Sequence, residues 1–193
     1  MFTMIRNSLI LLLLFIILTG LIYPLVVTGL AQLIFPNQSN GSIIITNGKP
    51  VGSALIGQQF EDPKYFWGRL SATSPYPYNA SSSSGSNLGT NNQALIKAVQ
   101  TRVQALQEAD PGNKEKIPVD LVTASGSGLD PNISLAAAQY QVKRVAQARH
   151  ISETQVQELV MKHTQRRFLG FIGEPVVSVL QLNLDLDNLK KDE

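Results

Sequence analysis

The sequence predicts an α+β protein, with one N-terminal transmembrane helix and a single small extracytoplasmic domain that has a few strands and about three helices. Three features indicate this class: a long apolar run near the N-terminus, short β-prone runs, and stretches with apolar residues every three or four positions. The chain has 193 residues, which leaves roughly 155 for one domain with one core. We predict a cytoplasmic N-terminus at 1–8, a transmembrane helix at 9–35 and the domain at 36–193.

The N-terminal apolar run is long enough to remain in a bilayer. No charged residue lies between Arg6 and Lys49, and about 27 helical residues extend roughly 40 Å, against a hydrocarbon layer of ~30 Å. Pro24 removes one backbone hydrogen bond and is expected to kink the helix. A signal peptide cleaved at Gly29-Leu30-Ala31 is the alternative, but such a peptide has an apolar region of only about 7–15 residues. An uncleaved anchor is therefore favoured.

Flanking charge sets the expected orientation of this helix. Arg6 and the free amino group precede it, whereas the first lysine or arginine on the other side is Lys49. By the positive-inside rule, the N-terminus faces the cytoplasm and the domain faces the exterior.

Several runs in the domain have strand character. Runs 42–46 and 51–55 flank Asn47-Gly48, the strongest short hairpin signal. Run 119–123 is another strand candidate. In 176–186 leucines alternate with polar residues, which predicts a half-buried strand.

A long irregular loop is predicted between these runs, at 61–89. This segment is rich in proline, glycine and serine, and it contains Trp67, the single tryptophan of the chain. Structureless loops of this length are usually functional or disordered. We expect an aromatic half that is ordered and a serine-rich tip that is mobile.

Three segments carry helix signals. Apolar residues in 91–109 follow amphipathic spacing, and 133–149 has Ser134 as a candidate N-cap. A third helix is expected to begin at Ser152, because Ser152 and Gln155 stand in capping-box spacing.

The sequence lacks the residue patterns of a self-sufficient enzyme. It has no cysteine, no P-loop, no Asp-Lys-Thr-Gly phosphorylation sequence and no G-x-S-x-G nucleophile elbow. His150 and His163 lack metal-ligand spacing and are expected to be cap-like residues near helix C-termini. Asp185 and Asp187 are expected to face water.

Charge gives little support to nucleic-acid binding, since the net charge is only +2 and no basic block occurs. Lys190 and Lys191 are expected to form a solvated end.

Two segments of small residues are candidate contact sites. Ser125-Gly126-Ser127-Gly128 would let backbone N–H groups approach an anion, and a following helix N-terminus would favour a phosphate, although a purely structural turn is the commoner case. In the apolar helix, small residues suit packing against another helix. These residues are Thr19, Gly20, Thr28, Gly29 and Ala31.

Ordered blocks of sequence follow one another along nearly the whole chain. They are Thr19-Gly20, Tyr23-Pro24, 40–42, 52–58, 65–73, 77–79, 85–88, 118–130, 173–177 and 182–184. In this order they resemble the C subunit family of the Kdp-type high-affinity potassium-transporting ATPases. Leu70 departs from the pattern, because the family favours proline after Gly-Arg, and this change is expected to loosen one turn only.

The resemblance implies a non-catalytic accessory subunit of an ATP-driven potassium uptake complex in the bacterial inner membrane. Its implied partners are a channel-like potassium-translocating subunit, a P-type ATP-hydrolysing subunit and, as a further candidate, a very small fourth subunit, together with membrane lipid. It implies a catalytic chaperone that raises ATP affinity, with no catalytic residue, no metal site and no cofactor of its own.

The resemblance also implies residues for these contacts. The stretch 125–130 is likened to the signature motif of ABC transporters, which suggests nucleotide contacts, with ATP shared with the ATP-hydrolysing subunit. The candidate nucleotide-binding residues are Ser125, Gly126, Ser127, Gly128 and Asp130. The candidate subunit contacts are Thr19, Gly20, Tyr23, Pro24, Thr28, Gly29, Phe66 and Arg69.

The expected orientation conflicts with a direct ATP contact, because ATP is scarce outside the cell. We therefore favour a structural role, in which the helix packs on the channel-like subunit and the domain lies over its ion entrance, with ATP affected by allosteric coupling. A nucleotide-binding module is the alternative. A membrane-anchored hydrolase that uses Ser125 and Ser127 is a third hypothesis.

Overall fold

The structure is a computed structural model that describes residues 1–189. The predicted solvated end at Lys190 and Lys191 lies outside the described residues. The chain divides into two compact units, Met1–Ile44 and Ile45–Glu193.

The N-terminal unit is helical. Its residues Phe2–Ile34 form a helix of 33 residues that is long and apolar enough to cross a membrane, and none of its residues is buried. The elements are α1 (Phe2–Ile17), a π-helical turn (Leu18–Ile22), α2 (Tyr23–Ile34) and the short α3 (Pro36–Ser39).

The π-helical turn is the local effect of Pro24. A proline ring clashes with the carbonyl four residues earlier, which here belongs to Gly20 inside the turn Leu18–Ile22. A wider turn relieves that clash. The distortion that the sequence predicts as a kink is therefore a π-helical turn.

The predicted hairpin is confirmed, with β1 at Ile43–Thr46 and β2 at Lys49–Ser53. Asn47 has φ 52° and Gly48 has φ 74°. Both are positive, as a type I′ turn requires.

The C-terminal unit combines helices with a small antiparallel sheet, which confirms the α+β class. The helices are α4 (Gln93–Ala109), α5 (Val119–Val122), α6 (Leu135–Arg149), α7 (Glu153–Lys162) and α8 (Val179–Leu189). The strands β3 (Asn132–Ser134), β4 (Thr164–Gln165) and β5 (Val176–Ser178) form a sheet in the order β3-β5-β4. In its register, Ile133 and Thr164 both lie opposite Val177.

The predicted helix caps are present. Ser134 accepts a hydrogen bond from the Ala137 amide at 3.0 Å and begins α6, and Ser152 and Gln155 form the capping box of α7. His150 and His163 are the C-cap residues of α6 and α7. Local polar signals at these positions therefore fix the ends of the helices.

The predicted strand at 119–123 is wrong, because these residues form the one-turn helix α5. Pro118 opens this turn, and its carbonyl accepts the Leu121 amide at 3.1 Å. The Asp120 carboxylate accepts hydrogen bonds from the Ser134 amide at 2.7 Å and from the Ser134 hydroxyl at 3.1 Å.

The predicted strand at 176–186 is correct only at its start. β5 ends at Ser178, and the rest is the helix α8. The same leucines also carry a helical period, since Val179, Leu182 and Leu186 are buried at spacings of three and four. Burial of the polar Asn183 on this face hides the period from a count of apolar residues.

Asp185 and Asp187 do not simply face water, as the sequence predicts. Asp185 pairs with Lys162 at 2.8 Å and lies 2.9 Å from the His163 ring. Asp187 pairs with Arg149 at 2.8 Å. These pairs join α8 to the ends of α6 and α7.

Replacing Asp185 with asparagine is expected to lower the free energy of unfolding by about 0.5–1 kcal/mol near neutral pH. The hydrogen bond from Lys162 holds the pKa of the Asp185 carboxyl below its ordinary 3.8, with a smaller contribution from His163. Because the folded pKa is depressed, this stability is present above the ordinary pKa and is lost as the pH falls through the folded value. Urea unfolding at several pH values measures it, and a difference that persists unchanged in acid would contradict it.

Candidate functional site

The aromatic part of the long loop is held by side chains rather than by a neighbouring strand. The Asn183 amide accepts from the Phe66 N–H at 2.9 Å and donates to the Phe66 carbonyl at 3.0 Å. Gln141 accepts from the Trp67 N–H at 2.8 Å and donates to the Trp67 carbonyl at 3.2 Å. One side chain from α8 and one from α6 thus replace the ladder of a β-sheet.

Arginines complete this arrangement. The guanidinium groups of Arg102 and Arg144 both lie over the Trp67 ring, with their Cζ atoms 4.8 and 4.7 Å from its centroid. Arg144 also donates to the Pro63 carbonyl and to Gln141. Burial lowers the pKa of Arg144 to about 10, so this arginine stays charged at neutral pH.

Arg149 secures the start of the same segment. It donates to the Lys64 carbonyl at 2.7 Å and to the Leu186 carbonyl at 3.0 Å, and it pairs with Asp187. The ordered aromatic half that the sequence predicts is therefore confirmed, although its partners on α6 and α8 were not predicted from the sequence.

After Trp67 the chain runs beside the small-residue turn. Leu70 and Ala124 form an isolated parallel bridge, and the Leu70 carbonyl accepts the Ser125 amide at 3.1 Å. A proline at this position would keep the same carbonyl. The departure at Leu70 therefore leaves this contact intact.

Hydrogen bonds from three parts of the chain hold the turn 125–130 in place. Ser71 donates to the Gly128 carbonyl at 2.7 Å, and the Gly57 amide donates to the Leu129 carbonyl at 2.9 Å. The Ser84 amide donates to the Ser127 carbonyl at 3.0 Å. We call residues 125–130 and these partners the junction. The serine-rich tip, predicted to be mobile, is bonded to the junction through Ser84.

The predicted nucleotide-binding residues differ in their accessibility. Ser125 is 3% exposed and its Oγ is buried with no hydrogen-bond partner among the described residues. Gly128 is buried at φ 68°, and Asp130 pairs with Arg69 at 3.1 Å. Gly126 and Ser127 are exposed. An external ligand can therefore reach the middle of the turn and part of Asp130, but not Ser125 or Gly128.

The helix that follows this turn, predicted at 133–149, is α6, which begins at Leu135 after the short strand β3. The first turn of α6 is capped by Ser134, whose amide and hydroxyl are bonded to Asp120. These side chains already occupy the groups with which a helix N-terminus would bind a phosphate.

The charge beside the junction does not suit a phosphate. A cavity of about 590 Å³ is lined by Arg69 and by the carboxylates of Asp120, Asp130 and Glu174, among other residues. The one guanidinium in this group is already paired with Asp130. Several carboxylates repel an anion such as a nucleotide triphosphate.

Phe66, a predicted subunit contact, is 0% exposed and lies inside the core of its own domain. A subunit contact at Phe66 stays a prediction. Arg69 is half-buried and bonded to Asp130 and the Ala124 carbonyl. The predicted contacts in the apolar helix are exposed: Thr19, Gly20, Tyr23, Pro24, Thr28 and Gly29.

The functional side chains missed by the sequence reasoning are Gln141, Arg144, Arg149 and Asn183. Their signal was present, because each interrupts the apolar face of a helix with a polar group. Such an interruption indicates a buried polar contact.

Within residues 1–189, no group of three or more histidine, aspartate or glutamate side chains could hold a metal ion. The apolar helix and the bonded junction define a class of protein: a small α+β domain that follows one helix long and apolar enough to cross a membrane.

The chain belongs to the KdpC family, described as the c chain of K+-transporting ATPases, whose family model matches residues 5–188. The chain is 60% identical over 188 residues, and 97% of both chains, to the potassium-transporting ATPase KdpC subunit of Herpetosiphon aurantiacus. It is 63% identical over 172 residues, covering 89% of this chain and 84% of the relative, to the KdpC subunit of Ralstonia nicotianae. These matches confirm the resemblance seen in the ordered blocks, and the family is one of subunits rather than of self-sufficient enzymes.

Proposed function

We propose that this chain is a non-catalytic accessory subunit of an ATP-driven potassium uptake complex in the bacterial inner membrane. There it stabilises the assembly and, as a catalytic chaperone, raises the ATP affinity of the P-type ATP-hydrolysing subunit. The observation that carries this proposal is the family match over residues 5–188, which spans both the apolar helix and the domain.

The apolar helix packs on the channel-like potassium-translocating subunit. Gly20 and Gly29 support this contact, because a Cβ atom added at either glycine meets nothing within 4 Å in this chain. Small residues allow two membrane helices to approach closely. A very small fourth subunit would also contact this helix.

The domain faces the exterior and lies over the ion entrance of the channel-like subunit. Arg6 on the N-terminal side supports this orientation. ATP does not reach the domain there. Its effect on ATP affinity is therefore an allosteric coupling of about 1–3 kcal/mol, which corresponds to roughly 5–150-fold in affinity.

Assembly is tested by enlarging the two glycines of the helix. With Gly20→Leu and Gly29→Leu combined, we expect the large subunits to stop co-purifying with this chain. Leu12→Phe adds bulk outside the predicted contacts, roughly a quarter turn around the helix from either glycine, and should leave co-purification unchanged. Assembly that survives the double substitution, with normal potassium uptake, would sink the proposed contact.

Orientation is tested by thiol labelling, since the chain has no cysteine of its own. Ser82→Cys, in the exposed serine-rich tip, should react with a membrane-impermeant maleimide added outside intact spheroplasts. Reaction only after the membrane is opened would place the domain in the cytoplasm.

A direct nucleotide contact is tested at Gly126, which is exposed and has no atom within 4 Å of an added Cβ. Gly126→Asp puts a carboxylate at the open part of the turn without a clash. We expect the KM for ATP of the assembled complex to stay unchanged, whereas omission of the whole chain should raise it. A higher KM for Gly126→Asp alone would favour the nucleotide-binding module.

A further inference from the structure

The connection between β4 and β5 ends in an exposed apolar turn. Phe168, Leu169, Phe171 and Ile172 are 69, 70, 72 and 49% exposed, and we call these four residues the apolar tip. The other exposed large apolar side chains described in this unit lie singly along the chain. Single apolar side chains are normal on a soluble surface, whereas a contiguous group marks a contact surface.

The apolar tip is held in one conformation. Phe168 and Ile172 exchange two backbone hydrogen bonds, each of 2.9 Å, and the turn between them has Leu169 at φ 51° and Gly170 at φ 83°. A positive φ suits glycine or asparagine and is uncommon for a bulky residue. The turn thus presents a leucine to the outside at a conformational cost.

Arginines lie directly behind the apolar tip. Arg167 binds both carboxylate oxygens of Glu174, at 3.0 and 2.7 Å, and so closes the base of the turn. The exposed Arg166 forms no hydrogen bond or ion pair within residues 1–189. Below this base, β5 is fixed in the core by Val177. The base therefore presents one uncompensated positive charge next to the apolar group.

We propose that the apolar tip inserts into the interfacial layer of the membrane, with Arg166 binding the phosphate groups of anionic lipids. Aromatic and aliphatic side chains at the outermost point, followed by a cation, match the order of acyl chains and headgroups. A protein partner would not require this order of apolar and cationic layers. The proposal does not depend on the proposed function, because it concerns the full chain alone in a bilayer.

The apolar helix tethers the domain that carries the apolar tip. Eight residues, 35–42, separate the end of α2 at Ile34 from the start of β1 at Ile43. Even fully extended, they span less than about 30 Å. The tether raises the effective concentration of lipid around the apolar tip, so a modest affinity of the tip for lipid is enough for binding.

The test measures the depth of a label in the full-length chain, reconstituted alone in nanodiscs of phosphatidylcholine and phosphatidylglycerol. Leu169→Cys carries an environment-sensitive fluorophore, and Phe171→Cys provides a second reading. With brominated acyl chains, we expect emission to fall about twofold, because interfacial side chains lie about 5–10 Å inside the headgroup boundary. The control Val119→Cys, which is 71% exposed as the native valine on α5, should lose no emission.

Second-site changes separate the apolar and charged parts. In the Leu169→Cys chain, Phe168→Ser with Phe171→Ser should abolish quenching by the brominated lipid. Arg166→Gln should weaken quenching in discs with phosphatidylglycerol and leave it unchanged in pure phosphatidylcholine. If Arg166→Gln leaves the quenching unchanged in both lipid compositions, the proposed binding of Arg166 to lipid phosphate groups is wrong.

Absence of bromine quenching at both labelled tip positions overturns the proposal. If the label is then shielded from aqueous iodide only in the assembled complex, the apolar tip is a protein contact. If it stays open to iodide there as well, the tip has no such partner. For each variant, an unfolding midpoint followed by Trp67 fluorescence that equals the midpoint of the native chain confirms that the variant is folded.

Discussion

Replacing Asn183 with leucine is expected to destabilise the domain by about 3–5 kcal/mol. The two side chains have the same number and branching of heavy atoms, so the loss comes mainly from hydrogen bonds and no cavity is created. Asn183 satisfies both the N–H and the carbonyl of Phe66, and all of these groups are buried. Each buried backbone group left without a partner costs roughly 1–3 kcal/mol.

Denaturant unfolding of the full chain in detergent measures this effect. Trp67, the single tryptophan, follows Phe66 directly and reports on the same segment. Asn188→Leu is the matched control, since it makes the same change at an exposed position of α8. We expect the control to change stability by less than about 0.5 kcal/mol. Equal unfolding midpoints for the two variants would contradict the role given to Asn183.

Replacing Gly128 with alanine is expected to cost about 2–4 kcal/mol. Gly128 has φ 68°, which L side chains rarely adopt, and an added Cβ would lie 2.6 Å from both the Ser84 carbonyl oxygen and the Thr73 methyl carbon. The junction would have to open to accept the methyl group. The expected loss is one of stability, and no nucleotide is needed to observe it.

Gly126→Ala, two residues earlier in the turn, is the matched control. Its added Cβ meets nothing within 4 Å, so the unfolding midpoint should stay close to that of the native chain. If Gly128→Ala is as stable as Gly126→Ala, the close approach of the chain at the junction is not what requires glycine there.

Elements with local signals were predicted from the sequence. The turn at Asn47-Gly48, the N-cap at Ser134 and the capping box at Ser152 each depend on residues a few positions apart. The long apolar helix needs only length and composition. None of these predictions depends on a distant part of the chain.

The errors arise where distant residues decide the structure. In α8 the buried Asn183 is bonded to Phe66, and this contact makes a polar residue part of the apolar face. In α5 the single turn is stabilised by the hydrogen bond that the Asp120 carboxylate accepts from the Ser134 amide on another element. Strand and helix patterns overlap in such short segments, and tertiary contacts then decide between them.

The junction was predicted as a turn but not as a meeting point of three segments. The spacing of small residues indicates close approach without saying what approaches. Here the neighbours are other parts of the same chain, at Gly57, Ser71 and Ser84. A contact of this kind leaves no local trace in the sequence.

The side-chain bonds to the aromatic segment have a consequence for biosynthesis. Phe66 and Trp67 bond to residues 117 and 74 positions further along the chain. Closing such long loops is entropically costly and comes late in folding. Both rings therefore leave the translation machinery long before their partners exist, and Phe66 lacks Asn183 until the last helix is made. A chain that stops before α8 would never form the Phe66 contact, which would make truncated products prone to aggregation and early degradation.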